Sequence, residues 1–428
     1  MSFVFPAFVS APYGVWLIAG IATAGVVVRP FRLPEYIWAL SGALLLCILG
    51  LLHWSDALKA IGRGTDVYLF LIGMMLVSEL ARQEGLFDHL AARTAKQAKG
   101  SSPRLFALVY VVGTVVTVLM SNDATAVVLT PAVLAATRAA KVAKPLPYLY
   151  ICAFVANAAS FVLPISNPAN LVIFQDKMPP LLDWVVRFSL PSLLAIVMTF
   201  AMLRWSERAS LNEPLEHDID VPVLSGTGQV TGWGVAAMAL VMLIASAVDI
   251  PLGLPTFLSG VAVYLVVCLS KKRLDLAPLR DLSWGVLPLV AGLFVLVQGL
   301  QQTGVINLLA HLLGNAAHNA ESSTAWGAGV VVALASNLMN NLPTGLIAGS
   351  ALGIAHVPVN VNSAVLIGVD LGPNLSVTGS LATILWLTAL RREDVHVSAG
   401  AFLTKGIMVM LPALIAALAG LSIIKYFQ

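Results

Sequence analysis

Two aspartates stand in the most apolar parts of this chain. Asp123 lies in SNDATAVVLTP (Ser121 to Pro131), between two apolar runs, and Asp370 opens DLGPNLSVTGS (Asp370 to Ser380). A carboxylate in a hydrocarbon setting is costly unless it is paired or protonated. No Lys or Arg lies within a few residues of either. Reversible protonation is therefore the chemistry these two positions suit, and both are candidates for proton coupling. Amide and hydroxyl groups gather around them in four short motifs. Ser121, Asn122 and Thr125 belong to the first. Ser166, Asn167 and Asn170 lie in PISNPAN (Pro164 to Asn170), and Ser336, Asn337, Asn340 and Asn341 in SNLMNNLPTG (Ser336 to Gly345). Asn374, Thr378 and Ser380 belong to the fourth motif, which Asp370 opens. Such groups donate and accept hydrogen bonds without carrying charge, which suits binding of a small polar solute. The plainer alternative is that they only cap broken helices.

The surroundings of these motifs set the class of protein. Of 428 residues, 59% are hydrophobic and 11% charged, against roughly 25% charged in soluble domains. Mean hydropathy is +0.90. Repeated apolar runs in such a chain imply an all-α polytopic membrane protein. The opening stretch MSFVFPAFVSAPYG lacks a basic region, so the first apolar run reads as a retained span. Cys47, Cys152 and Cys268 are far apart and form no disulfide framework or metal pattern. There is no GxxxxGK[ST] loop, no HExxH and no GxSxG. No His falls in a segment expected at the midplane, so an enzyme is the weakest reading. No catalytic residue, cofactor, resident metal or nucleic-acid partner is expected.

Spans are expected near 14–28, 36–52 and 66–81, then 147–175, interrupted at PISNPAN, and 183–204. After the polar stretch 205–232 they recur at 233–250, 253–270 and 285–300, then 361–390, interrupted at DLGPNLSVTGS, and 398–424. Basic residues mark the cytoplasmic loops: Arg29 and Arg32; Arg82 to Arg104; Arg138 to Lys144; Arg204 and Arg208; Lys271 to Arg280; Arg391 and Arg392. Both flanks of 105–137 are basic, so that segment should enter and leave on the cytoplasmic side as a re-entrant hairpin. The flanks of 324–357 carry no Lys or Arg, so its hairpin should enter from outside. The expected fold is thus about ten transmembrane helices plus two re-entrant hairpins in two inverted-topology repeats, with two discontinuous helices. Residues 1–204 form the first repeat, 205–232 a cytoplasmic linker and 233–428 the second repeat. Both termini fall outside. Ser121–Asn122 recurs as Ser336–Asn337 half a chain later, and Asn157 and Asn170 align with Asp370 and Thr383. Re-entrant backbone is tolerated at membrane depth only where it lines a cavity or is buried in protein. The tips and breaks would together make a polar pocket.

In these motifs the chain resembles the arsenical pump membrane protein family of the wider ion transporter superfamily. The matching stretches are ELARQEGLFDHLA, SNDATAVVLTPAV, SFVLPISNPANLV, SNLMNNLPTGL and IGVDLGPNLSVTGSLATILWL, in family order along nearly the whole chain. The resemblance implies export of arsenite and antimonite across the inner membrane, coupled to proton entry. It also implies optional pairing with a soluble, arsenite-stimulated ATPase subunit. Arsenite near neutral pH is mainly an uncharged trihydroxide, which fits a pocket of Asn, Ser and Thr without cations. A cation/proton antiporter or organic-anion carrier of the same architecture is the alternative, since helix N-termini alone can bind an anion. A channel is the fourth reading, and broken spans in inverted halves speak for alternating access instead.

Other polar residues have plainer expectations. The three cysteines should pack as apolar groups. Glu216, His217, Asp218 and Asp220 should be solvated linker, and His311, His318 and His356 surface groups. Glu79 and Lys405 should snorkel or pair near cytoplasmic helix ends. Asp249 and Arg187 should lie near the outer interface. Residues 82–104 read equally as an interfacial amphipathic helix or a plain connector.

Overall fold

A computed structural model describes residues 12–174, 178–213, 215–216 and 219–427; His217, Asp218 and the opening residues 1–11 lie outside that description. Every regular element in the described residues is helical. The first half contains α1 (Pro12–Val28), α2 (Glu35–Ile48), α3 (Trp54–Arg63), α4 (Thr65–Gln83) and α5 (Leu86–Gln97). There follow α6 (Ser102–Leu119), α7 (Thr130–Ala139), α8 (Leu146–Ala158), α9 (Pro168–Phe174) and α10 (Leu181–Glu207). The second half contains α11 (Gly226–Ala247), α12 (Gly253–Lys271), α13 (Ala277–Arg280), α14 (Val286–Gln302) and α15 (Val305–Asn319). Then come α16 (Glu321–Met339), α17 (Asn341–Ala355), α18 (Val359–Leu371), α19 (Leu381–Arg392) and α20 (Ala399–Phe427).

Helix ends follow local chemistry. Ser225 caps α11 by accepting the Gly228 N–H at 2.9 Å, and Ser380 caps α19 through the Thr383 N–H at 3.1 Å. Pro164 and Pro373 remove backbone donors at the two interruptions, where each helix gives way to a short 3₁₀ turn (Pro164–Ser166 and Gly372–Leu375). Five described helices are long and apolar enough to cross a membrane: α6, α10, α11, α12 and α20. Two bent pairs, α3–α4 at 48° and α14–α15 at 75°, raise that to seven. The first two expected spans, α1 and α2, are apolar but shorter; with these and the two interrupted helices the described candidates number eleven, one more than expected, because α6, read as an arm of the first hairpin, is itself long and apolar enough to cross. α15 and α3 are helices that hydropathy alone passes over.

Packing crosses the halves in matched pairs. α4 packs on α12 as α14 packs on α2; α9 meets α17 as α19 meets α7; α10 lies along α20. Close approach is bought with small residues. A Cβ on Gly73 of α4 would run into the Thr256 carbonyl of α12, and one on Gly368 of α18 into the Gly329 carbonyl of α16. An aromatic cluster fixes α19: Trp386 sits 5.9 Å from Tyr150 and 5.6 Å from Phe402, and its Nε1 donates to the Leu149 carbonyl at 3.0 Å.

The stretch read as a linker is shorter than expected, because α10 runs to Glu207 and α11 starts at Gly226. Its first part is strapped over the ends of the first hairpin rather than loose. The Leu215 N–H donates to Gly100 O and the Glu216 N–H to Ala140 O, each at 3.0 Å. Lys141 Nζ pairs with Glu216 at 3.0 Å, and Ser102 Oγ donates to Glu213 O. Leu211 and Ile219 are buried beneath it.

Candidate functional site

Each hairpin turns on a residue in backbone territory that L-residues rarely occupy. Ser121, just past the C-cap of α6, has φ 150°, and Asn340, the C-cap of α16, has φ 76°. Such conformations persist only where the surroundings over-determine them, and they cluster at functional sites. After Ser121 the chain re-enters helix through a π-helical stretch, Ala124–Leu129, before α7. A π segment widens the turn and leaves backbone carbonyls off the α register. Asn340 caps α17, its Oδ1 accepting the Leu342 N–H at 3.3 Å.

The two tips meet the two breaks around one void. A small void is lined by Asn122, Asp123, Asn167 and Asn341, with Leu71 and Val286 closing its sides. The first residues of α9, α17 and α19 also face it, so three helix N-termini bear on the void. Asp123 is half-buried and links this void to a larger cavity of about 80 Å³, room for several waters. That cavity is lined by Ser78, Glu79, Ser121, Asp123, Asp281 and Ser283 among others, and no Lys, Arg or His lines either space.

Asp370 lies one layer behind. It is fully buried, and Asn167 Nδ2 donates to its Oδ1 at 2.8 Å. Asn167 also holds the start of α9, its Oδ1 accepting the Ala169 N–H at 3.0 Å. It is thus the residue that touches both the central void and Asp370. Asn157, at the end of α8, crosses the other way: its Nδ2 donates to Asn374 Oδ1 at 3.0 Å and to Thr383 Oγ1 at 3.4 Å. The ends of α8 and α18 therefore each lock onto the interruption of the opposite half.

Several buried oxygens here accept no hydrogen bond from the protein: Asn122 Oδ1, Asn341 Oδ1, Asn157 Oδ1, Asn170 Oδ1 and Asp370 Oδ2. Buried acceptors are nearly always satisfied in native structures. Of these residues, Asn122 and Asn341 line the void, where a group with an O–H or N–H donor, water included, would satisfy them.

The other residues expected at the site have local partners. Thr125 Oγ1 pairs with Thr117 Oγ1 at 2.8 Å, inside the hairpin. Ser166 Oγ donates to Val118 O at 3.0 Å, tying the first break to α6. Asn170 Nδ2 donates to Ser160 O at 3.0 Å and steadies the same break. Ser336 Oγ bonds back to Val332 O at 3.0 Å. Asn337 forms a closed network, with Nδ2 to Gly372 O at 2.9 Å and Oδ1 from Ser376 Oγ at 2.7 Å. Thr378 Oγ1 donates to Asn337 O at 3.2 Å, and Asn340 Nδ2 to Thr378 O at 3.4 Å. Asn374 Nδ2 holds Phe154 O at 3.0 Å. Ser121 lines the larger cavity, and Ser380 caps α19. Sequence reasoning assigned no role here to Asn157, Thr383, Ser376 or Asp281. Asn157 was legible as an amide inside an apolar run aligned with Asp370, whereas nothing in the sequence signals Asp281.

The discounted residues are placed as follows. Cys47, Cys152 and Cys268 are free and buried, and His311, His318 and His356 are exposed. Glu79 pairs with Arg82, and Lys405 with Glu207 at 2.6 Å. No group of three or more His, Cys, Asp or Glu among the described residues could hold a metal ion.

Comparison with known proteins adds three findings. Residues 18–368 match the family model described as CitMHS, Citrate transporter. The arsenical pump membrane protein of Escherichia coli K12 is 27% identical over 400 residues, 89% of this chain and 92% of that protein. That of Yersinia enterocolitica is 27% identical over 397 residues, 89% and 91% of the two chains. Among solved structures, the Alcanivorax borkumensis YdaH transporter, described as having an unusual topology, superposes with a TM-score of 0.58 at 14% identity. That match covers 97% of this chain and 98% of the other, and it speaks for the fold.

Proposed function

The chain belongs to the CitMHS citrate transporter family, and on that footing we propose that it exports arsenite and antimonite from the cytoplasm in exchange for protons. It is a multi-pass membrane protein and a secondary transporter; its family and relatives are transporters rather than enzymes. The arsenical pump relatives span nearly its full length and support the substrate class. The observation that carries the reading is the pair of unsatisfied carboxamide oxygens, Asn122 Oδ1 and Asn341 Oδ1, in a void of about 10 Å³, room for one water, which joins the cavity of about 80 Å³ where solute would sit; neither space is lined by a cation. An uncharged trihydroxide offers three O–H donors to such acceptors, whereas a carboxylate ligand brings more acceptors.

In this reading 1–204 and 233–428 are inverted repeats in the inner membrane, each with a re-entrant hairpin, and the loops with clustered Lys and Arg face the cytoplasm. The like order of helices in the two halves and the matched cross-half packing support the repeats. Asp370, joined to the void through Asn167, and Asp123, at its edge, are the proton carriers. Protonation of either from outside weakens its hold on donor hydroxyls, so solute leaves as the proton enters. Optional association with a soluble arsenite-stimulated ATPase belongs to the same proposal, and co-purification tests it.

The second reading is an organic-anion carrier. The family's description and the N-termini of α17 and α19 at the void favour it. The deciding experiment measures solute uptake by everted vesicles under an imposed pH gradient. Arsenite accumulation that collapses with the gradient supports the first reading. Citrate flux with no arsenite movement overturns it.

A further inference from the structure

We propose that Glu79 and Asp281 form an electrostatic filter at the mouth of the larger cavity, passing uncharged and cationic solutes and turning anions away before they reach the hairpin tips. This rests on the reading that solute reaches the tips through that cavity. The ionisable residues lining it are Glu79, Asp123 and Asp281, all acids. Arg82 stands at the rim, outside the lining. Its guanidinium contacts Glu79 and lies 3.3 Å from Asp281 Oδ2. Gln83 Nε2 donates to the same two carboxylates, at 2.7 Å and 3.2 Å. Two carboxylates against one guanidinium leave these contacting groups with one negative charge in excess, with Asp123 adding to the field further in; Arg280, next to Asp281, is exposed and lies outside the lining. The rim is open to water, Asp281 being 51% and Arg82 46% exposed, whereas Glu79 is 11% exposed. A cleft with low-dielectric walls focuses such a field along its axis and sorts solutes by sign.

A second feature shows that this is a passage rather than a surface cluster of acids. The cavity shares Asp123, Leu71 and Val286 with the void in which the buried Asn122 and Asn341 present oxygens without partners. The filter therefore leads to groups that await hydrogen-bond donors. A purely mechanical role is also available to the network, since it staples the end of α4 to the turn after α13. That role predicts no dependence on the sign of the entering charge.

The test reads sign directly and does not depend on the transported substrate. Met75 lines the cavity beside Ser78 and Glu79. Met75→Cys is placed in a chain whose Cys47, Cys152 and Cys268 are replaced by Ala. Everted vesicles are treated with cationic and anionic methanethiosulfonates, each rate being divided by that for a free thiol in solution. The filter gives a cation preference of about tenfold, falling to one or below in Glu79→Gln/Asp281→Asn, where Arg82 is left uncompensated. Equal rates in the parent, labelling by neither reagent, or a preference unchanged in the double variant overturns the proposal. Arsenite uptake in the same vesicles separates the two readings. Charge preference without arsenite uptake sinks the substrate and leaves the filter, and arsenite uptake without charge preference does the reverse.

Discussion

The contact between Asn167 and Asp370 joins the solute void to the buried carboxyl, so breaking it should uncouple the two. Asp370 Oδ1 accepts from Asn167 Nδ2 at 2.8 Å, and the Ser160 hydroxyl also faces the carboxyl. A hydrogen bond to a charged group contributes about 1.5–3 kcal/mol. At about 1.4 kcal/mol per decade, Asn167→Ala should lower kcat/KM for gradient-driven arsenite uptake by about 10- to 100-fold. Alanine also deletes the cap on the Ala169 N–H. Asn167→Asp keeps that acceptor while removing the donor, and should fall as far. Asp370→Asn should abolish dependence on the pH gradient altogether. Because both substitutions act on one link, the double variant Asn167→Ala/Asp370→Asn should be little worse than Asp370→Asn alone, with a coupling energy above about 1 kcal/mol. The assay is arsenite uptake by everted vesicles at matched protein levels. Additive single effects, or near-normal gradient-driven uptake in Asn167→Asp, would refute the relay.

Three further outcomes are expected. Asp275 follows α12 and accepts from Lys271 Nζ at 3.0 Å and from the Ala277 N–H at 3.2 Å. Lys271 above all, then that N–H, hold its carboxyl below the ordinary value of 3.8. Its contribution is complete above 3.8 and is lost as pH falls through the depressed folded value; hydrogen exchange at 272–280 should rise in that window, and Asp275→Asn should abolish the pH dependence. Leu211 is 3% exposed under the strap, so Leu211→Asp, at about 3 kcal/mol or more, should free the strap and speed trypsin cleavage at Arg208, while Lys141→Ala, which removes one exposed pair, should not. A chain with Cys47, Cys152 and Cys268 all replaced by Ala should keep arsenite efflux within about twofold, because these thiols pack as apolar groups; efflux lost with the fold intact would mean that thiolate carries the metalloid.

How much of this was legible in the sequence depends on the range of the interaction. Apolar runs fix helices because backbone groups in hydrocarbon must bond within their own segment. Breaks at Pro164 and Pro373 announce themselves, because proline lacks the donor a helix needs. Basic clusters and the half-chain recurrence of Ser121–Asn122 are also local facts. From these came the membrane class, the positions of the tips and breaks, and the isolation of Asp123 and Asp370. The tertiary structure alone decided the partners. Asn167 rather than Asn170 meets Asp370, Asn157 reaches across to Asn374 and Thr383, Thr125 turns to Thr117 within its own hairpin, and Ser166 and Asn337 tie hairpin to break within their own halves. It also brought Asp281 to Glu79 and laid the strap over the first hairpin. Many of these contacts join residues about two hundred positions apart. Several similar amides compete for each acceptor, and only the packed geometry of the two halves, set by close approaches such as Gly73 on Thr256, selects among them.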